Sequence, residues 1–237
     1  MMQGVLEELV RELTLQHEIA IDTGEPQLSR ILGRYANSEQ NYANTAQQIV
    51  MHMPEILQGG RSILDVGPGA LFFLVLARHL GNTVQGLEIE ETLKLEKGSY
   101  PNPAGARNEL LKYRNGYLYL AKYWNIPVIY EGLHNFLLRG GSPTGVKYDL
   151  IHCSRSLDAV LRMCTPQMGY AESARRFYNF CHEHLTDDGK VVIQYNMDDT
   201  REYLIRELEQ DGRFLRERND VSYSIFKIKE MNCEPSR

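Results

Sequence analysis

Apolar positions in the first sixty residues recur at helical spacing. Val5, Leu6, Leu9, Val10 and Leu13 share one face, with Glu and Arg between them. The cluster Asp22-Thr23-Gly24-Glu25-Pro26 predicts the end of that helix. Leu28, Ile31 and Leu32 predict a short second helix. Ala46, Ile49, Val50, Met53 and Ile56 predict a third, starting near Asn41. After Gly59-Gly60 the texture changes, and short apolar runs alternate with helical patterns. Strands are predicted over 62–66, 83–88, 127–130, 148–152 and 190–195, with a closing hairpin over 214–216 and 222–228. Helices are predicted over 70–80, 110–124, 172–184 and 199–211. Residues 89–103, with Gly98, Pro101, Asn102 and Pro103, read as a loop.

Strand and helix in alternation predict an α/β fold, with a mostly parallel sheet and helices on both faces. Ligands of such sheets bind beyond the carboxyl ends of the strands, where the strand order reverses. The residues just after each strand therefore become the candidates.

Composition narrows the class without naming a chemistry. The chain has 237 residues, which suits one core with an appendage. Its net charge of −5 disfavours a protein whose main task is gripping nucleic acid. Cys153, Cys164, Cys181 and Cys233 are scattered and form no CxxC pair, so a reducing, cytoplasmic setting is expected. The N-terminus lacks the basic start and apolar run of a signal peptide. No apolar run is long enough to predict a membrane span.

The strongest local signal is Asp65-Val66-Gly67-Pro68-Gly69-Ala70, which ends a strand and opens a helix. Gly67 and Gly69 lack a Cβ, so a ligand can approach the backbone closely. Pro68 removes one donor and stiffens the turn. Glu88 ends the next strand, where a carboxylate can accept both hydroxyl protons of a ribose. As a strand-end carboxylate it is expected to be exposed. A nicotinamide dehydrogenase is disfavoured, because the third fingerprint glycine would fall at Phe72.

These segments resemble the motifs of class I S-adenosylmethionine-dependent methyltransferases, over about residues 60 to 229. Residues 62–69 resemble the first motif, and Val84-Gln85-Gly86-Leu87-Glu88 the second. Residues 148–157 resemble the fourth-strand motif, and 185–193 the turn into the fifth strand. Leu71 stands where that family has a small residue. The resemblance implies a Rossmann-like, seven-stranded, mostly parallel sheet with one antiparallel strand. It also implies a cofactor-binding domain over 61–230, preceded by a helical cap over 1–60. By the same resemblance, Asp65 would hold the amino group of the methionine end, with Gly67, Pro68 and Gly69 around it. Glu88 would take the ribose, Leu133 and His134 would flank the adenine, and Ser154 would face the sulfonium.

Methyl transfer needs a base only when the acceptor must lose a proton. His134 and Asp158 are the candidates, and Arg155 suits an anionic substrate. Asp158 has a bland alternative as a helix cap. Tyr35 and Tyr42 lie in the helical appendage and either cover the cofactor or face the core. No metal is expected. Cys181-His182-Glu183-His184 lacks zinc-like paired spacing, and Asn196, Asp198 and Asp199 read as a polar loop and cap. The reading is methyl transfer from S-adenosylmethionine to a small molecule, with no membrane partner. The alternatives are tRNA or protein methylation, or a non-catalytic binding protein on the same fold.

Overall fold

The computed structural model describes residues 2–68, 71–88, 120–129, 131–141, 145–154, 156–194, 198–219 and 223–228. Helices α1 (Met2–Asp22), α2 (Pro26–Ala36) and α3 (Glu39–His52) come first. A 3₁₀ turn, Pro54–Gln58, leads to β1 (Ser62–Val66), α4 (Phe72–His79) and β2 (Thr83–Leu87). Then follow β3 (Val128–Ile129), α5 (Leu133–Arg139), β4 (Tyr148–Ser154), α6 (Leu157–Met168) and α7 (Tyr170–His184). The chain continues through β5 (Leu185–Gln194), α8 (Asp198–Asp211), β6 (Phe214–Asn219) and β7 (Tyr223–Ile228). The strands make one sheet in the order β3-β2-β1-β4-β5-β7-β6. β1 with β4, β2 with β3 and β4 with β5 pair in parallel, while β7 runs antiparallel to both β5 and β6. This is the expected mostly parallel, Rossmann-like sheet with one antiparallel strand. The chain steps outward from β1 to β3 and returns to β4, so the order reverses beside β1.

Two compact units divide the chain. The first holds Met1–Arg61 and Pro68–Glu131. Within it, α1 buries Leu9 and Leu13, one helical turn apart. It stops at the predicted cluster, where Gly24 takes φ 72° and the Thr23 hydroxyl donates to the Ile19 carbonyl. Pro26 then opens α2 from its first turn, where a missing N–H costs nothing. Asn82 is fully buried and fully used. Its amide donates to the Ile56 and Ala77 carbonyls, and its oxygen accepts from the Arg61 N–H. Gly86 leaves room in β2 because an added Cβ would meet Leu74 and Pro68 side chains at 3.1 Å.

The second unit holds Ser62–Gly67 and Gly132–Arg237. Leu150, Ile151, His152 and Cys153 of β4 are all buried, the continuous burial of a parallel strand covered on both faces. Asp149 ties three elements at its lower end: it accepts from the Ser62 N–H at 2.8 Å and from the Thr186 hydroxyl at 3.3 Å. β5 begins at Leu185, earlier than predicted. Its partners jump from Leu185 opposite Tyr148 to Lys190 opposite Leu150, so the Asp187-Asp188-Gly189 turn is a bulge within the strand. Two helices were not predicted. α5 spans Leu133–Arg139, between the third strand and the predicted loop at 140–143. Leu157, Val160, Leu161 and Cys164 of α6 keep clear helical spacing, which the strand motif read through Leu157 obscured. Of the predicted loop over 89–103 and helix over 110–124, only residues 120–124 lie within the described residues, and they are helical over 120–123.

Candidate functional site

Asp65 and His152 occupy matching positions on β1 and β4. Directly paired residues of neighbouring strands project from the same face, so their side chains meet. His152 Nδ1 lies 2.9 Å from Asp65 Oδ1, and the residues are 2% and 1% exposed. A carboxylate only accepts, so the ring donates through Nδ1–H. The ring takes Oδ1. The second oxygen of a carboxylate keeps its own acceptor capacity, which suits an ammonium group. The next pair in register is Val66 and Cys153. Burial pushes the Cys153 thiol well up, and the Asp65 charge adds to this, so the thiol stays protonated and is no nucleophile.

Gly67 holds φ 70° at the exit of β1. A Cβ there would lie 2.5 Å from Ser156 Cβ and 2.8 Å from its Oγ. The close approach that requires glycine here is made by Ser156. Ser156 stands at the N-cap of α6, yet it does not cap the helix. Its hydroxyl donates instead to the Val66 carbonyl, pinning the backbone next to Asp65.

In the first unit, Leu71 follows the glycine loop with φ 61°, a left-handed conformation that side chains rarely adopt. Its N–H donates to the Pro68 carbonyl at 2.9 Å, closing a turn ahead of α4. Among the described residues, no side chain caps α4. Glu88 directly follows β2, and its N–H donates to the Ile129 carbonyl at 2.9 Å. It is 7% exposed, so the expected exposed carboxylate is in fact buried. Tyr35 and Tyr42 are both fully buried and pack on Phe72, with ring centroids 5.4 and 4.8 Å away. Here both face the core of their unit. Among the described residues the Tyr42 hydroxyl has no hydrogen-bond partner, and burial raises its pKa strongly.

The remaining candidates are more scattered. Leu133 and His134 open α5, both buried. The Cys164 thiol lies 3.7 Å from the His134 carbonyl. Asp158 sits in the first turn of α6 and accepts from Arg162 at 2.8 Å, so it does not serve as the N-cap. Ser154 ends β4, opposite Gln194. Gly69 and Arg155 lie outside the described residues. His152 and Ser156 were missed by sequence reasoning. The available signal was polar residues at the end of an otherwise apolar strand.

No family model matches the sequence, and no curated protein matches it. The structure is similar to that of precorrin-6y C5,15-methyltransferase from Geobacter metallireducens GS-15. The two are 15% identical, covering 81% of this chain and 89% of that chain, with a TM-score of 0.49. Ribosomal protein L11 methylase from Lactobacillus delbrueckii subsp. bulgaricus matches at 17% identity over 78% of each chain, with a TM-score of 0.47. A SAM-dependent O-methyltransferase from Thermotoga maritima matches at 13% identity, over 81% of this chain and 67% of that chain, with a TM-score of 0.48. Function is accordingly argued from the residues of this chain. Among the described residues, no helix is long and apolar enough to cross a membrane.

Proposed function

We propose that the protein binds S-adenosylmethionine and transfers its methyl group to a small-molecule acceptor. The observation that carries this reading is the Asp65 carboxylate at the end of β1, 1% exposed and held at Oδ1 by the His152 ring. Its second oxygen suits a cationic group, and the amino-acid end of the donor carries an ammonium group. The left-handed Gly67 just beyond Asp65 supports the same ligand.

In this reading Asp65 takes the amino group and Gly67, Pro68 and Gly69 line the methionine end. Glu88 accepts from the ribose hydroxyls, Leu133 and His134 flank the adenine, and Ser154 lies toward the sulfonium. When bound, the donor supplies a methyl group already activated by positive sulfur. The chain then contributes orientation and exclusion of water. Where the acceptor must lose a proton, His134 receives it. Asp158 is the second candidate, held by Arg162. Arg155 binds an anionic acceptor, and the helices of residues 1–60 form a cap, with Tyr35 and Tyr42 packed in its interior. The acidic net charge of −5 supports a small acceptor over a polyanionic one.

Calorimetric titration with S-adenosylmethionine tests the reading. Binding in the micromolar range is expected, and none at about 1 mM ligand would overturn it. Glu88→Gln should weaken that binding about tenfold, because an amide replaces a charged acceptor of the ribose hydroxyls.

A further inference from the structure

Asp65 does not stand alone at the end of β1. Two residues from the exit of β4 grip it and the peptide that follows. His152 holds its carboxylate, and Ser156 holds the Val66 carbonyl. We propose that His152 is a positioning residue for the methyl donor: its Nδ1–H fixes Oδ1 of Asp65, leaving Oδ2 to receive the donor's ammonium group. The inference rests on the donor reading above and adds to it a residue that acts only through Asp65.

Three physical points support it. First, the terminal torsion of an aspartate is soft and two-fold, so an unheld carboxylate would turn. One strong hydrogen bond from a directly paired strand neighbour stops that rotation. Second, both residues are buried, so water does not compete for the bond. Third, the Nδ1–H bond uses Oδ1 alone, so the acceptor capacity of the second carboxylate oxygen is left for a cation. Ser156 completes the arrangement by fixing the backbone that carries the carboxylate into the glycine turn.

The test compares two probes by calorimetry on the full chain. S-adenosylhomocysteine carries the amino-acid end. 5′-Methylthioadenosine has the same adenosine and thioether but lacks that end. His152→Leu should weaken S-adenosylhomocysteine about tenfold or more and change 5′-methylthioadenosine less than about twofold. His152→Asn places an amide near Nδ1 and should keep S-adenosylhomocysteine within about threefold of the native chain, whereas His152→Gln, with its amide nearer Nε2, should behave like the leucine variant. Should His152→Leu not fold, the contrast between Asn and Gln decides. Equal weakening of both probes would mean general damage to the loop and would overturn the proposal. Unchanged S-adenosylhomocysteine binding in His152→Leu or His152→Gln would also overturn it. If the native chain binds neither probe, the donor reading itself fails and this inference falls with it.

Discussion

Gly67 and Leu71 bracket the turn from β1 into α4, and both hold left-handed backbone, at φ 70° and 61°. At Gly67 a side chain has nowhere to go, because Ser156 already fills the space a Cβ would take. At Leu71 a whole isobutyl group is buried with no exposed surface. The first position keeps its conformation because it lacks a side chain, and the second because it has one. Torsion alone therefore does not decide where glycine is needed. The neighbours do, and at Leu71 burial outweighs a backbone cost of about 1–2 kcal/mol.

The largest expected effect tests the Gly67 side of that contrast. Gly67→Ala adds left-handed strain to overlap with Ser156, and should cost about 3 kcal/mol or more in urea unfolding. In a Ser156→Gly background the overlap disappears, and the same substitution should cost only about 1 kcal/mol. Equal costs in both backgrounds would show that Ser156 is not what excludes the side chain.

Leu71→Gly tests the other side. Relief of the backbone returns about 1 kcal/mol, while loss of a buried leucine costs more, so a net destabilisation of about 2 kcal/mol is expected. A more stable Leu71→Gly protein would mean that the leucine is merely tolerated and the turn prefers a small residue.

A second contrast separates the hydrogen-bonded end of β1 and β4 from the aromatic packing in the first unit. Asp65 bonds His152 and Ser156 bonds the Val66 carbonyl, while the buried Tyr42 hydroxyl has no partner among the described residues. Tyr42→Phe should therefore stabilise the protein by about 1 kcal/mol in thermal or urea unfolding, since it removes an unpaid desolvation penalty. Destabilisation would mean that the hydroxyl makes contacts in solution.

Local pattern revealed the parts that depend on local pattern. The periodicity of Leu9 and Leu13, the turn at Gly24 and the strand-to-glycine step at Asp65 to Gly67 are encoded within a few residues of themselves. The Asp65–His152 bond joins positions 87 residues apart. Only strand register creates it, and register is a property of the assembled sheet. Ser156 carried a plain N-cap signal, and the nearby Val66 carbonyl took its hydroxyl instead. Glu88 looked exposed because it ends a strand, yet tertiary packing buries it. α6 was legible in principle from Leu157, Val160, Leu161 and Cys164, but the apolar strand before it drew the boundary too late.

The two regions also differ in how they should respond to alkali. In the second unit, burial raises the Cys153 and Cys181 thiols well above the usual 9.0 and the Cys164 thiol to about 11. In the first, burial raises Tyr42 above its usual 10.0. A raised pKa means that the folded state keeps its proton after the unfolded state has lost it. The associated stability is complete below the unfolded pKa and declines as pH climbs past it. Urea midpoints should accordingly hold steady to about pH 8.5, fall beyond about pH 9 through the thiols, and fall faster beyond about pH 10 as tyrosine joins. Cys164→Ala should flatten the earlier part of the decline, and Tyr42→Phe the later part. If Tyr42→Phe leaves the slope above about pH 10 unchanged, the hydroxyl ionises as readily in the folded chain as in the unfolded one, and the aromatic cluster is more open to water than its packing implies.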